Sequence, residues 1–367
     1  MIRLLVVDDS ALMRRLIGGI FEAESDFVVE IARNGAEAMA KLHVFEPDVI
    51  TLDIHMPEMD GLACLDRIMI ERPCPVVMVS QRTESGAAET MQALELGAVD
   101  FVPKPEGAVS LDIDSLAPRL IEKVRAAAQA RIRPTLRLAE RVRAKVGRQG
   151  ARPALRRGSA PTRAEGTRAP LRPLGSDGLV LVGTSTGGPQ ALDALLTPLP
   201  ADFPWPILVA QHMPSSFTGA LARRLDKACA LQVVEVSAPT SLAAGTVYVA
   251  RGDADMIVRR QRGVLIASAA PAASTFRWHP SVDRLVQSAM TVVPPERLVG
   301  ILMTGMGNDG AATLTELHRN GGYVIAEAEE SAIVWGMPGE LVKSGGADAV
   351  VPLTRIAACL VEAFGCR

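Results

Sequence analysis

The sequence predicts two α/β units, each built on a mostly parallel sheet, joined by a basic linker. Three observations carry this. Short β-branched runs alternate with longer helix-compatible segments in the first hundred residues and again from Gly178 onward. Between the two stretches the composition turns to Pro, Arg, Gly and Ala. Polar residues with chemical capacity fall just after the strand runs, where open parallel sheets place their ligand sites. A length of 367 residues fits two domains of roughly 100–200 residues each plus a connection.

Hydrophobic content of 48% supports two sizeable cores, and a net charge of −2 gives no whole-chain sign of a nucleic-acid binder. The five cysteines, Cys64, Cys74, Cys229, Cys359 and Cys366, are scattered, without CxxC pairing or histidines at ligand spacing. This argues against a disulfide framework or zinc site and fits a reducing compartment. The N-terminal apolar run Leu4–Val7 is too short for a signal-peptide core. No apolar stretch approaches the ~20 residues that span a bilayer. The expectation is a soluble cytoplasmic protein with no transmembrane segment and no nucleic-acid partner.

In the first unit, strands are expected at Leu4–Val7, Phe27–Ala32, Val49–Leu52, Val76–Val79 and Phe101–Val102. Helices are expected at Ala11–Ala23 (N-capped by Ser10), Gly35–Phe45, Leu62–Glu71 and Ala87–Leu96. Five strands alternating with helices imply right-handed crossovers and a parallel sheet covered on both faces. Asp8 and Asp9 follow the first strand, Asp53 the third, Ser80 the fourth and Lys104 the fifth. Any one of these could be a solvated strand end. Together, three carboxylates in one pocket repel unless a cation neutralises them, and an all-oxygen set of this size suits Mg²⁺. A metal and a lysine beside one carboxylate would let it attack a phosphoryl group while the serine hydroxyl contacts another phosphoryl oxygen.

This unit resembles the receiver domain of bacterial response regulators over about residues 1–125. The resemblance rests on Asp8-Asp9, the run from Asp53 through His55 and Pro57 to Asp60-Gly61, Ser80, and Phe101-Val102-Pro103-Lys104-Pro105. It implies a flavodoxin-like five-stranded sheet, Asp53 as phospho-acceptor and a sensor histidine kinase as phosphodonor. Asp8, Asp9, Asp53 and the carbonyl of His55 would hold Mg²⁺, with Ser80 and Lys104 contacting the phosphate. It also raises the prospect of a cis Lys104–Pro105 bond.

Residues 126–176 form the expected linker. From Ala130 to Gly175 there are thirteen Arg or Lys against two Glu, with prolines at 134, 153, 161, 170 and 173 and no aromatic residue. Such a segment cannot offset its ordering entropy by apolar burial. Gln129–Val146 could extend a helix, broken near Pro134, and the later part is expected to be disordered. Its arginines could meet RNA or an anionic membrane surface. A solvated tether balancing an acidic body is the plainer reading.

The second unit is organised around Gly183-Thr184-Ser185-Thr186-Gly187. A strand run, Leu179–Val182, enters it and a helix-compatible run, Pro189–Leu196, leaves it. G-x-S-x-G between strand and helix is the pattern of a nucleophile elbow. An ordinary glycine turn or a phosphate loop has the same look. Further strands are expected at Ile207–Ala210, Leu231–Val236, Leu298–Met303, Tyr323–Ala326 and Ala349–Val351, with helices at Ser281–Val292 and Thr354–Phe364. Thr246–Ala250, Asp255–Arg260 and Val264–Ala267 read as short antiparallel strands, the last two turning at Arg262-Gly263. The expected fold is Rossmann-like, mostly parallel, with an antiparallel edge hairpin.

Three of these strands lead to Ser185, His212 and Asp309. Carboxyl ends of parallel strands share one face of the sheet, so the three can converge. Serine needs a base within hydrogen-bond reach. Histidine can take its proton near neutral pH, and an aspartate on the other ring nitrogen fixes the tautomer. His212 could equally be a backbone-bonded strand-end histidine, and Asp309 the N-cap of the next helix. His43, His279 and His318 rank below His212: one lies in the first unit, one in an irregular segment and one mid-helix. The glycine spacing is not G-x-G-x-x-G, which weighs against a dinucleotide site.

This unit resembles the catalytic domain of the bacterial chemotaxis protein-glutamate methylesterases, which are also glutamine deamidases, over residues 177–365. The resemblance is carried by Gly183–Pro189, Gln211-His212-Met213-Pro214, Pro280–Asp283, Gly336-Met337-Pro338 and Thr304–Gly310. It implies domains at 1–125 and 177–367 and a Ser185, His212, Asp309 triad needing no cofactor. It places the backbone N–H of Met306 in the oxyanion hole. Methylated chemoreceptors would be the substrate, demethylation would give sensory adaptation, and Asp53 phosphorylation would lift a receiver lid. The readings set against it are a phosphorylation-switched docking module without turnover and a nucleotide-binding regulator.

Overall fold

The computed structural model describes residues 1–81, 83–104, 109–131 and 178–364, with side chains from 116 onward in the third of these stretches. Five parallel strands form the first sheet: β1 Ile2–Val7, β2 Phe27–Ala32, β3 Val49–Asp53, β4 Val76–Ser80 and β5 Asp100–Pro103, in the order β2-β1-β3-β4-β5. β3 and β4 are buried at every residue, as strands covered on both faces must be. Helices α1 Ala11–Glu22, α2 Gly35–Val44, α3 Gly61–Glu71 and α4 Glu84–Leu96 alternate with them. Each of the four has a side-chain N-cap, from Ser10, Asn34, Asp60 and Thr83 in turn. Helix α5, Val109–Ala128, closes the unit and buries Leu120, Val124 and Ala127 against β1, β3 and α1 residues. No helix is expected there from the sequence, where Pro118 breaks the helical pattern. The helix also ends at Ala128, so the proposed extension from Gln129 does not begin. The rest of that extension, most of the linker and the Lys104–Pro105 bond lie outside the described residues.

The second sheet has seven strands, all parallel: β6 Leu179–Thr184, β7 Ile207–Gln211, β8 Gln232–Val236, β10 Thr246–Ala250, β13 Leu298–Leu302, β14 Tyr323–Glu327 and β15 Ala349–Val351. Their order is β15-β14-β13-β6-β7-β10-β8. Thr246–Ala250 is therefore not antiparallel: it lies between β7 and β8 in parallel register. Every one of its residues is buried, which suits a central strand and not an edge hairpin. The antiparallel hairpin is real but sits in its own three-stranded sheet. There β11 Ala254–Gln261 and β12 Val264–Pro271 pair, with β9 Thr240–Ser241 beside them. Arg262 and Gly263 turn it with φ of 50° and 84°.

Helices α6 Gly188–Leu196, α7 Ser215–Ala228, α8 Val282–Met290, α9 Ala311–Arg319, α10 Met337–Lys343 and α11 Leu353–Phe364 complete the second unit. The chain runs outward from β6 through β7, then returns to β13 on β6's other side. That reversal puts the crevice of the sheet at the carboxyl ends of β13, β6 and β7. Among the described residues, Cys64, Cys74, Cys229 and Cys359 are free thiols. No described helix is long and apolar enough to cross a membrane.

Candidate active site

Ser185 stands at the end of β6, half-buried, where the strand turns into α6. The turn closes with the Gly188 N–H donating to the Ser185 carbonyl at 2.8 Å. Its left-handed residue is Gly187, with φ of 77°, and Ser185 itself has no positive φ. The positive φ of the turn thus falls on the glycine two residues on, where it costs no strain. A Cβ at Gly188 would lie 1.9 Å from Gln211 Oε1, so only glycine fits there. Gln211 is placed by Thr184, whose hydroxyl donates to it at 2.7 Å. Gln211 in turn donates Nε2–H to the carbonyls of Ser185 (2.9 Å) and His212 (3.1 Å), tying two strand ends together.

His212 follows β7. Its Nε2 lies 2.8 Å from Asp309 Oδ2, and its Nδ1 is buried without a hydrogen-bond partner. A neutral ring in this setting donates from Nε2 and offers Nδ1 as an acceptor. The Trp278 indole stacks parallel to the imidazole, with ring centres 5.9 Å apart. Asp309 is 2% exposed and sits against the N-terminus of α8. It accepts from Val282 N (2.7 Å), Asp283 N (3.0 Å) and Ser281 Oγ (3.1 Å) besides His212. Burial alone would raise its carboxyl. The bond and charge of His212, with the N–H groups of Asp283 and Val282, outweigh that and hold it below the ordinary carboxylate value. Asp309 therefore does not cap the helix that follows it, α9, but faces the start of α8, where a negative charge is favoured. Neighbouring Asp283 is pushed up, chiefly by burial and also by the Asp309 charge, against a hydrogen bond from Thr313.

Met306 lines the same cavity of about 340 Å³ as Ser185 and His212. The loop bearing it presses on the serine: a Cβ at Gly305 would lie 2.8 Å from Ser185 Cβ. His279, ranked low in sequence, also reaches this cavity, with Nδ1 held by the buried Asp255 at 2.8 Å. His318 bonds Asp348 instead, and His43 lies near Glu71, 3.7 Å away.

Part of the cavity wall comes from the first unit, through β5 and α5, including Phe101, Pro103 and Lys123. The Thr186 hydroxyl donates to Asp100 Oδ2, a buried carboxylate whose other oxygen meets Lys123 Nζ at 2.6 Å. Gln190 Nε2 donates to the Leu94 (3.0 Å) and Ala98 (2.8 Å) carbonyls. Arg224 joins Glu95 of α4 to Asp193 of α6, and the Phe101 and Phe217 rings meet at 4.4 Å.

At the far end of the first sheet, carboxylate oxygens of Asp8, Asp9 and Asp53 lie within 4.8 Å of one another. Lys104 Nζ is 2.8 Å from Asp53 Oδ2 and 3.0 Å from Asp8 Oδ2. Apart from that contact, Asp8 Oδ2 is buried without a hydrogen-bond partner. Burial, countered by the Lys104 bond and reinforced by the Asp8 charge, pushes the Asp53 carboxyl up. The Ser80 hydroxyl is turned toward α4, accepting from Thr90 Oγ1 at 2.7 Å and donating to the Gly86 carbonyl at 3.2 Å. The His55 ring is exposed and pairs with Glu89 at 3.0 Å. Hard oxygen donors, one of them buried and without a hydrogen bond, fit a Mg²⁺-sized cation.

Comparison with known proteins matches residues 4–112 to the response regulator receiver domain and residues 180–360 to CheB methylesterase. A protein-glutamate methylesterase/protein-glutamine glutaminase of Rhodopseudomonas palustris is 54% identical over 365 residues, covering 99% of this chain and 98% of that protein. The chain belongs to the protein-glutamate methylesterase/protein-glutamine glutaminase family. A second relative, from Rhodospirillum rubrum, is 51% identical over 97% of this chain and 95% of its own length. Among solved structures, the Thermotoga maritima CheB methylesterase catalytic domain is 36% identical, covering 50% of this chain and 97% of that one, with a TM-score of 0.49. The receiver match thus precedes the methylesterase match in one chain.

Proposed function

We propose that this chain is a phosphorylation-activated hydrolase. It removes methyl groups from glutamyl methyl esters on chemoreceptors and deamidates glutamines by the same route. The observation that carries this reading is His212, clamped by Asp309 on one nitrogen while the other is buried, without a partner, in the cavity that holds Ser185. Ser185 Oγ attacks the ester carbonyl carbon and His212 Nδ1 takes the hydroxyl proton. Asp309 holds the Nε2–H tautomer and stabilises the imidazolium. The developing oxyanion meets the backbone N–H of Met306. Collapse expels methanol, protonated by His212, and water then hydrolyses the acyl-enzyme.

Control comes from Asp53, phosphorylated by a sensor histidine kinase. Asp8, Asp9 and Asp53, with the carbonyl of His55, would hold Mg²⁺, which supplies charge neutralisation during phosphoryl transfer. Lys104 contacts the phosphate. Ser80 does so after its hydroxyl turns from α4. In the unphosphorylated chain β5 and α5 wall the cavity and keep a receptor helix out. The test is methanol release from methylated receptors with and without a small acyl phosphate. Release stimulated by the phosphodonor and lost in Ser185→Ala supports the reading. Receptor binding without release would make the chain a docking module, and full release by Ser185→Ala would remove the nucleophile assignment.

A further inference from the structure

Glu327, the last residue of β14, is a fully buried carboxyl side chain that takes no part in the proposed triad. Its Oε2 accepts from the Thr304 N–H at 2.8 Å, and its Oε1 accepts from Ser331 Oγ at 2.9 Å. The first bond stands where the sheet ends. β13 pairs with β14 as far as Leu302 opposite Ala326, and Met303 N still donates across to the Gly183 carbonyl at 3.0 Å. At Thr304 the backbone leaves the sheet, and its N–H is met by the Glu327 side chain in place of a strand carbonyl. A buried N–H left unpaired there would carry a desolvation cost with nothing to offset it.

Thr304 is also the residue through which the loop touches the serine turn. Its carbonyl accepts from Ser185 N–H at 3.0 Å, and its hydroxyl donates to the Thr186 carbonyl at 2.8 Å. The same hydroxyl accepts from Val334 N at 3.0 Å. One peptide unit further, Gly305 is clamped by Val334 and by the N–H groups of Gly336 and Met337, and Met306 follows it. The Ser331 hydroxyl that holds Oε1 is itself fixed by Leu353 N at 2.8 Å, so the carboxyl cannot swing freely.

We propose that Glu327 is a positioning residue for hydrolysis. It sets the height of Thr304, and through it the spacing between Ser185 and the Met306 N–H. This rests on the proposed triad and oxyanion role. Displacing a reacting group by about 1 Å can cost on the order of 10²-fold in rate. The property that matters is a hydrogen-bond acceptor at the reach of a glutamate side chain, not its charge.

That distinction can be tested with full-length protein activated by an acyl phosphate, measuring kcat and KM on methylated receptors. Rates are normalised to folded sites by active-serine titration. Glu327→Gln keeps an acceptor at the right distance and should stay within about 3-fold of the parent. Glu327→Asp keeps the charge but falls short of Thr304 by one methylene, and should lose about 10- to 100-fold in kcat with KM within 2-fold. Glu327→Ala should resemble the aspartate, and if it does not fold, the Gln and Asp variants decide. An active aspartate variant overturns the proposal. So does an inactive glutamine variant, or a loss confined to KM. Ser185→Ala run in parallel separates the two levels. If it retains turnover, the triad reading has failed whatever the Glu327 series gives.

Discussion

Thr186→Val tests the coupling between the two domains at one atom. The Thr186 hydroxyl donates to Asp100 Oδ2 across the interface, and Asp100 is 6% exposed. Valine has the shape of threonine without the donor. In the closed arrangement it leaves Oδ2 buried and without that bond, while in an open one water reaches it. Hydrogen bonds to charged groups contribute about 1.5–3 kcal/mol net. At about 1.4 kcal/mol per tenfold, the closing equilibrium should weaken by about 10- to 150-fold. Methanol release by the unphosphorylated chain should rise toward that factor, capped by the activity of the fully open enzyme. Turnover after treatment with an acyl phosphate should be little changed. The Thr186 carbonyl, which accepts from Thr304, is backbone and survives the substitution. Release by the unphosphorylated variant no faster than the parent, with normal phosphorylated turnover, would refute the reasoning.

Four further outcomes are expected. Gly305→Ala places a methyl group 2.8 Å from Ser185 Cβ and 2.4 Å from Met337 Sδ. The thioether can move but the serine cannot, so kcat should fall by about 10²-fold while receptor binding in a pull-down persists. Asp309→Asn leaves one acceptor oxygen for donors from His212, Ser281, Val282 and Asp283, and methanol release should drop by about 10⁴-fold. Because the Asp309 carboxyl is held below its ordinary value of 3.8, the stability it adds is present above that pH and lost as pH falls through the folded-state value. The urea-midpoint gap between parent and Asp309→Asn should therefore narrow as pH falls into the acid range. Asp53→Asn, or a chelator added before the phosphodonor, should hold methanol release at the unstimulated level, and stimulation surviving either treatment would count against phosphorylation at Asp53.

The convergence of Ser185, His212 and Asp309 was readable because carboxyl ends of parallel strands share one face. Chain order alone then nominates a site. Which histidine nitrogen meets Asp309 was not readable. It depends on Asp309 facing the start of α8, an element 27 residues earlier in sequence. The place of Thr246–Ala250 was hidden for a related reason. Its nearness to a true hairpin suggested an antiparallel partner, while its pairing with β7 and β8 depends on burial over both faces. Glu327 carries no local signal either: a strand-ending glutamate is usually solvated, and only the departure of β13 from the sheet gives it a buried N–H to meet. The Asp100–Thr186 contact joins residues 86 apart across two domains, beyond the reach of periodicity or motif spacing.

That contact also bounds what the proposed phosphorylation of Asp53 would have to accomplish. Lys104, which reaches Asp53, and Asp100, which reaches Thr186, lie four residues apart, at and just past the two ends of β5. One short strand thus bears on both sites, and at about 3.3 Å per residue they are some 13 Å apart along it. Moving a closed population from 99:1 to 1:99 takes about 5.5 kcal/mol of differential interaction. The Thr186 bond supplies at most about half of that. The remainder is spread over Gln190 on the Leu94 and Ala98 carbonyls, Arg224 between Glu95 and Asp193, the Phe101–Phe217 contact, and the pairs Glu122–Arg277 and Arg131–Glu329. These partners lie on α4, the turn after it, β5, α5 and the residues just past α5, so an activating signal confined to the Lys104 side chain would leave most of the closure intact. Opening therefore requires that the α4, β5 and α5 face shift as a unit relative to the second unit, and single-contact variants such as Thr186→Val should raise unphosphorylated activity only part of the way to the phosphorylated level.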